Sequence, residues 1–298
     1  MNCPRRKLSS GWLFASPFLF GFAVFTVYPL FASLYYSFCD YNVFDPPVFT
    51  GTKNYAELLR DPLLRTACWN TLVFTAFTVP VTMLVALGLA MLLNLKVRGQ
   101  AFYRAVFFLP SIVPAVAASV LWIWVFNPQY GILNVGLRAV KPWLDSYVTV
   151  PVPGWLTDPA WAKPALILMS VWGAGANMVL YLAGLQEVPR ELYEAAAIDG
   201  AGAWQRTRHI TLPSISPTLF YTLIMGVIGA LQTFTQSRVM NNGGPADSTL
   251  FYSLYLFNNA FSFFRMGYAS AMAYVLFVVI VLCTVVMFRA SRRFVHYQ

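Results

Sequence analysis

Six long stretches of the chain carry no Asp, Glu, Lys or Arg: 12–38, 71–95, 105–126, 164–185, 217–237 and 266–288. Each reaches the roughly 20 apolar residues that a helix needs to cross about 30 Å of hydrocarbon. The pattern predicts an all-α membrane protein of six transmembrane helices. Pro17, Pro29, Pro80, Pro110 and Pro114 fall inside these stretches, which membrane helices tolerate where neighbours satisfy the freed backbone groups. Between the third and fourth stretches lies the longest connection, 127–163. There Ile132, Leu133, Leu137 and Val140 recur at helical spacing and predict a short helix along the outer membrane surface. "PVPGWLTDPAWAKP", 151–164, reads as irregular backbone, and "NNGGPADST", 241–249, as a turn without an evident ligand.

Composition supports a bilayer environment. The chain is 58% hydrophobic, 17% aromatic and 10% charged, against roughly 25% charged in soluble domains, and its mean hydropathy is +0.61. The distribution of positive charge then orients the spans. With the N-terminus inside, the inner segments hold Arg5, Arg6, Lys7, Lys96, Arg98, Arg104, Arg190, Arg206, Arg208, Arg289, Arg292 and Arg293. These are 12 of the 20 basic residues, and the excess predicts that both termini are cytoplasmic. It also accounts for the net charge of +9 without nucleic acid, whose binding calls for a basic face on a folded domain.

The first apolar run outlasts the roughly 7–15 residues of a signal-peptide core, and no small-x-small cleavage site follows it. The "PRRK" before it reads as an inside anchor rather than a twin-arginine signal. Cys3 lies in the inner tail and Cys283 in the last span. Cys39 and Cys68 both fall near the outer surface, so a disulfide is geometrically conceivable. Two unpaired small hydrophobes are the simpler reading.

Several chemistries lack their residues. There is no GxxxxGK[ST] to cradle a nucleotide. Two histidines, His209 and His296, offer little to a zinc site, and no HExxH or paired CxxC occurs. A membrane enzyme would need a nucleophile, base or metal set that the sequence does not suggest. The six stretches hold no ionisable carboxylate or amine, which counts against the alternative reading, an ion-coupled carrier or channel for a small polar solute.

Against this background one polar stretch stands out: "ELYEAAAIDGAGAWQRTRHITLP", 191–213. Glu187, Glu191, Glu194 and Asp199 are four of the chain's 11 acidic residues. Pro189 suits a first helical turn, and Glu191 and Glu194 favour its positive end and share one face. Three alanines make a thin helix that another protein can approach closely. Asp199-Gly200 stops it, because Gly readily takes the left-handed C-terminal conformation. A second short helix is predicted from Ala203 to about Ile210, before Pro213 and Pro217 redirect the chain into the fifth span. Two readings are open: an amphipathic loop resting on the inner membrane face, or a docking element.

"EAAAIDGAGAWQRTRHITLPSISP", 194–217, resembles the EAA loop of permease subunits in binding-protein-dependent ABC importers. That motif is roughly EAA, three residues, G, and nine residues on I-x-LP. Glu194, Ala195, Ala196, Gly200, Ile210, Leu212 and Pro213 occupy its places. "SPFLFGFAVFTVYPLFASLYYSF", "FTGTKNYAELLRDP", "NGGPADSTLFYSLYLFNNAF" and "RMGYASAMAYVLF" look like parts of sugar permeases of the maltose, lactose and glycerol-3-phosphate type, so the likeness covers nearly the whole chain. Thr207 departs from it, standing where an aromatic residue is common, and puts in doubt how the second short helix packs under the spans.

The resemblance implies a multi-pass subunit of the bacterial cytoplasmic (inner) membrane, embedded in the lipid bilayer and not itself an enzyme. Residues 1–66 would form the tail, first span and outer loop, and 67–298 a five-helix core including the coupling loop 187–213. Its implied partners are ATPase subunits, two in number, a second homologous permease and an external solute-binding protein. No cofactor is implied for this chain, since ATP and Mg would be used by the ATPase. Glu194 would be the charged contact to the ATPase, Ala195 and Ala196 the close-approach face, Asp199 and Gly200 the turn, and Ile210, Leu212 and Pro213 the rest of the coupling element. The inner loop 96–104 either adds contacts or is solvated positive-inside charge.

A translocation path for a sugar would need polar side chains inside the spans. Gly173, Asn177, Tyr181 and Gly184 recur at helical spacing on the fourth span, and Gly229, Gln232, Thr233 and Gln236 share a face on the fifth. Uncharged amides and hydroxyls suit sugar hydroxyls. The competing reading is interhelical packing through small residues and amide hydrogen bonds.

Overall fold

The structure is a computed structural model that describes residues 5–95, 98–144 and 152–292. Cys3, Lys96, Pro151, Arg293 and His296, and the side chains of Arg5, Arg6 and Lys7, lie outside the described residues. Helices dominate. α1 (Arg5–Phe22) continues through a π-helical turn (Ala23–Val27) into α2 (Tyr28–Ser37), and a two-stranded antiparallel hairpin follows, β1 (Cys39–Asp40) with β2 (Val48–Phe49). Next come α3 (Lys53–Leu58), α4 (Pro62–Asn94), α5 (Gln100–Phe108), a 3-10 turn (Leu109–Ile112), α6 (Ala115–Val125), α7 (Ile132–Leu144), α8 (Pro159–Trp172) and α9 (Gly175–Glu187). The polar stretch forms α10 (Arg190–Ile198), α11 (Ala203–Arg206), a π-helical turn (Thr207–Thr211) and α12 (Leu212–Ser214). Last come α13 (Ser216–Leu231), α14 (Thr235–Met240), α15 (Tyr252–Phe257), a π-helical turn (Asn258–Ser262) and α16 (Met266–Ser291).

Among the described residues, three helices are long and apolar enough to cross a membrane unbroken: Gly11–Ser37, Pro62–Asn94 and Met266–Ser291. The other three expected spans are each bent pairs. Between Gln100–Ile112 and Ala115–Val125 the axis turns by 102°. Val113, just before Pro114, is extended at ψ 126°, because the proline ring disfavours helix in the residue that precedes it. The fourth stretch bends by 46° at Gly173–Ala174. Just beyond the bend, Gly175 lets the end of α5 approach the backbone: a Cβ there would lie 2.0 Å from the Phe107 carbonyl oxygen. In the fifth, Ala203–Ser214 and Ser216–Leu231 meet at 68°, and α13 stops at Leu231 rather than reaching residue 237. The fourth stretch also begins earlier than charge counting suggested. Asp158 caps α8 through the Ala160 N–H (2.9 Å), with Pro159 in the first turn. Lys163 therefore belongs to α8, and its Nζ donates to Asn70 Oδ1 at 2.9 Å.

Two compact units emerge. Unit 1 comprises Met1–Asp61 and Leu256–Val279; unit 2 comprises Pro62–Tyr255 and Ile280–Gln298. In unit 1 the hairpin packs on the start of α16: the Gly267 N–H donates to the Tyr41 carbonyl (3.0 Å). A Cβ on Gly267 would lie 2.0 Å from the Cys39 carbonyl oxygen. Unit 2 has two apolar cores. One gathers Phe74, Val79, Phe126, Leu166, Met169 and Phe251; the other gathers Ala86, Ala90, Met178, Tyr181, Leu182 and Ile215. Large apolar side chains elsewhere face outward, Phe14 at 87% and Trp124 at 72% exposure among them, as a bilayer solvent allows. Cys39, Cys68 and Cys283 are free thiols.

The described part of the connection between α6 and α8 is held from within. The amide of Asn134, fully buried on α7, donates to the Pro128 (3.2 Å) and Pro153 (2.9 Å) carbonyls and accepts from Trp155 Nε1 (2.8 Å). Ile132, Val135 and Val140 remain exposed on that helix. Turn 241–250 is held likewise: Asn70 Nδ2 donates to the Asp247 (2.7 Å) and Leu250 (3.2 Å) carbonyls, and Ser237 Oγ to that of Thr249 (2.6 Å).

Candidate coupling loop and polar cavity

The loop between α9 and α13 is built by local rules. Pro189 occupies the cap position just ahead of α10, and Glu191 lies in the first turn, where a carboxylate meets the positive end of the helix dipole. The far end closes by paired reversed hydrogen bonds, Gly200 N–H to the Ala197 carbonyl (3.2 Å) and Ala201 N–H to that of Ala196 (2.9 Å). This is a Schellman motif. It needs Gly200 at φ +77°, and a Cβ on that residue would meet nothing within 4 Å, so the requirement is conformational rather than steric. The Gly202 N–H donates to Gln205 Oε1 (2.8 Å), starting α11. Arg206 Nε reaches back to the Ala201 carbonyl (3.0 Å).

α10 turns two faces to different surroundings. Tyr193 packs against the core around Tyr181, and its hydroxyl pairs with Thr211 Oγ1 at 3.0 Å. Glu191, Glu194 and Ile198, spaced i, i+3, i+7, are exposed along the other face, with Ala195 between them. Asp199 and Gly200 are exposed at its end, while Ala196 is half-buried. Ile210, Leu212 and Pro213 are half-buried where the loop joins the spans, Ile210 against the same core and next to Ile215, which is 1% exposed. The second short helix runs on past its expected end, through Pro213 to Ser214, since a proline near the start of a fresh helical turn sacrifices no bond. Thr207 stays helical, its Oγ1 donating to the Ala203 carbonyl (3.0 Å). Composition drew attention to the acids, but Ile198 (87% exposed), Trp204 (72%) and Leu192 (46%) are large apolar groups on the same loop. Their spacing relative to Glu191 and Glu194 was the available signal.

A polar cavity of about 260 Å³ opens among α4, α8, α9, α13 and α14. Its walls include Thr78 and Thr82 from α4, Ser170 from α8, Asn177 from α9, Thr222 and Gly229 from α13, and Thr233 and Gln236 beyond it. In this lining the buried Oγ1 atoms of Thr78 and Thr82 and Oε1 of Gln236 have no hydrogen-bond partner. Each such group left unpaired costs roughly 1–3 kcal/mol, so a cluster of them calls for a ligand or water.

Of the residues expected on a translocation path, Asn177, Gly229, Thr233 and Gln236 meet here. Tyr181 does not line the cavity. It is fully buried behind the wall, its hydroxyl 2.6 Å from Thr222 Oγ1. Gln232 is exposed, because α13 ends at Leu231 and residue 232 turns off the shared face. Gly173 caps the end of α8 at the bend. Gly184 serves close packing: a Cβ there would lie 3.4 Å from Ile215 Cγ2 and Thr218 Oγ1. The α4 wall was missed, although Thr71, Thr75, Thr78 and Thr82 recur every three or four residues in an apolar helix and so mark one face.

Residues 78–296, which include the whole loop and most of the cavity lining, match the family of binding-protein-dependent transport system inner membrane components. The chain belongs to this family. This inner membrane component is 40% identical over 298 residues to a probable ABC transporter permease protein, YesP, of Bacillus subtilis, covering 99% of this chain and 94% of that one. It is 37% identical to the lactose transport system permease protein LacF of Rhizobium radiobacter, covering 95% and 94%. Its fold matches a chain of a bacterial alginate ABC transporter, solved in complex with an alginate pentasaccharide-bound periplasmic protein, at a TM-score of 0.80. That match has 22% identity and covers 97% of this chain and 96% of that one. The inner membrane component is thus a transport subunit, and ATP hydrolysis in such systems belongs to a separate chain.

Proposed function

We propose that this inner membrane component forms, with a second homologous permease, the path by which a neutral saccharide crosses a bacterial cytoplasmic membrane. An external binding protein delivers the solute, and a pair of ATPase subunits drives the cycle. Each bent helix pair counts as one span, giving six in all. The basic residues of the inner segments then put both termini in the cytoplasm.

The observation that carries the reading is the cavity that Asn177 helps to line and into which the unpaired hydroxyls of Thr78 and Thr82 and the unpaired Oε1 of Gln236 are gathered. Uncharged groups that both donate and accept match a polyhydroxylated solute, and no carboxylate or amine in the lining supplies charge to balance an ion. Relatives named for lactose and for diacetylchitobiose uptake agree with it.

Coupling enters through α10. The Glu191, Glu194, Ile198 face, with Trp204 beyond it, seats in the ATPase, while Tyr193, Ile210 and Ile215 root the loop in the spans. A firm helix is required, because coupling needs different contacts in the two states that ATP selects. This chain binds no cofactor; ATP and Mg serve the partner ATPase.

The test is reconstitution in proteoliposomes of the chain with its second permease, ATPase and binding protein, assayed with radiolabelled lactose, maltotriose and diacetylchitobiose. ATP- and binding-protein-dependent uptake of at least one is expected. Uptake that follows an imposed ion gradient without ATP would overturn the reading.

A further inference from the structure

Unit 1 holds a hollow that the transport reading leaves unused. The hairpin β1–β2, helix α3 and the turn ahead of α16 enclose about 350 Å³, within the roughly 300–1,000 Å³ of small-ligand pockets. Val43, between the lining residues Asn42 and Phe44, and Phe264, itself in the lining, adopt left-handed backbone that their side chains disfavour, at φ +76° and φ +53°. Such conformations persist only where the surroundings enforce them, and they cluster at ligand clamps. The enforcement is visible. Asn42 Oδ1 accepts the Phe44 (3.0 Å) and Asp45 (2.9 Å) N–H groups, and the Arg265 N–H donates to the Asn259 carbonyl (2.8 Å). The outcome is a pair of aromatic rings, Phe44 and Phe264, 5.1 Å apart and tilted, with Phe44 74% exposed.

The charges of the hollow balance, two cations against two carboxylates. Arg265 is closed on Glu57 at 2.5 Å and lies 4.5 Å from the centre of the Tyr268 ring. Lys53 and Asp40 are not closed on each other. Their 3.9 Å separation exceeds the roughly 2.7–3.2 Å of a direct N–H···O bond, and both side chains are largely exposed, so each keeps the capacity to bond a hydroxyl that approaches them. Tyr41 lines the hollow with them, its ring stacked on Tyr36 at 4.6 Å.

We propose that this hollow is a binding site for one uncharged, polyhydroxylated ring, a saccharide unit. Its C–H face lies against Phe44 and Phe264, one hydroxyl bridges Lys53 and Asp40, and another reaches Tyr41. Balanced charge selects against anionic and cationic solutes. The ligand class rests on the saccharide reading given above; the site itself is separate from the cavity of unit 2.

The experiment uses the full chain assembled with its partner permease and ATPases in lipid nanodiscs, probed with lactose, maltotriose and diacetylchitobiose by saturation-transfer difference NMR. An Asn177→Leu/Gln236→Leu background silences the cavity of the spans. Signal is expected to persist there for at least one saccharide, strongest on ring C–H protons. Phe44→Ala and the double change Asp40→Ala/Lys53→Ala should each weaken binding at least tenfold. All three positions are at the surface, and assembly is checked by size exclusion. No signal from any saccharide in the silenced background, or signal indifferent to both rim variants, overturns the site. So does a Phe44→Ala variant that loses affinity for the binding protein while saccharide signal is unchanged, since the hollow would then be a protein-docking surface. ATP-driven uptake is measured separately, so failure of the import reading has its own signature.

Discussion

The loop between α9 and α13 and the polar cavity, both in unit 2, are opposite kinds of structure. The loop closes on itself within six residues: the Gly200 N–H on Ala197, the Ala201 N–H on Ala196, the Gly202 N–H on the Gln205 side chain and the Arg206 side chain on Ala201. In the cavity, side-chain oxygens from α4 and α14 are buried without any partner. The loop is a finished object that presents a face; the cavity is an unfinished one that waits for contents. A docking element must be rigid before its partner arrives, whereas a transit site gains from groups whose hydrogen bonds are completed only by the passing solute.

The sharpest way to break this contrast is to reverse charge on the presented face. Glu194→Lys should leave insertion intact but cut uptake and ATPase co-purification by a factor of at least about 100, since a like-charge contact costs several kcal/mol; normal co-purification would remove α10 from the docking role. Ile198→Ala comes next. A large, exposed apolar anchor is worth roughly 2 kcal/mol at an interface, so ATPase affinity measured by titration should fall about 30-fold.

A third variant tests rigidity without touching the face. Gly200→Val forces a β-branched residue into the left-handed region and costs roughly 1–2 kcal/mol; uptake should drop about tenfold with helix content and assembly retained. If uptake survives, the Schellman closure is dispensable.

The last pair compares paired with unpaired groups. Tyr181→Phe removes a satisfied hydrogen bond to Thr222 and should lower thermal stability by about 1 kcal/mol, leaving the KM for uptake unchanged. Thr78→Val/Thr82→Val removes two unpaired hydroxyls and should raise stability by roughly 2–6 kcal/mol if they are dry, or leave it level if water partners them, while raising KM. The opposite assignment of the two effects would show that the cavity is ordinary packing.

The loop was legible in the sequence because its determinants are short-range. An alanine run, an Asp-Gly stop and acids in a first turn act within one or two helical turns, and the family pattern has fixed spacing. The Ile198 and Trp204 knobs were also present but passed over, since in a chain this apolar a single isoleucine carries no compositional signal. The cavity was half legible. Asn177, Thr233 and Gln236 stood out as polar residues in greasy spans, but their grouping with Gln232 and Tyr181 assumed unbroken helices. The end of α13 at Leu231 sends Gln232 outward, and the packing of α9 on α13 puts Tyr181 behind the wall.

The sequence by itself determined that this is a helical membrane protein with a stiff, acid-faced loop between its fourth and fifth apolar stretches, because apolar run length and helix caps each act locally along the chain. Only the tertiary structure decided where the spans break, that Lys163 lies inside α8 against Asn70, and which hydroxyls face one another across the cavity. Those outcomes depend on close approaches between segments far apart in sequence, such as Gly175 on Phe107 and Gly226 on Val79. No local periodicity encodes a distance of that kind.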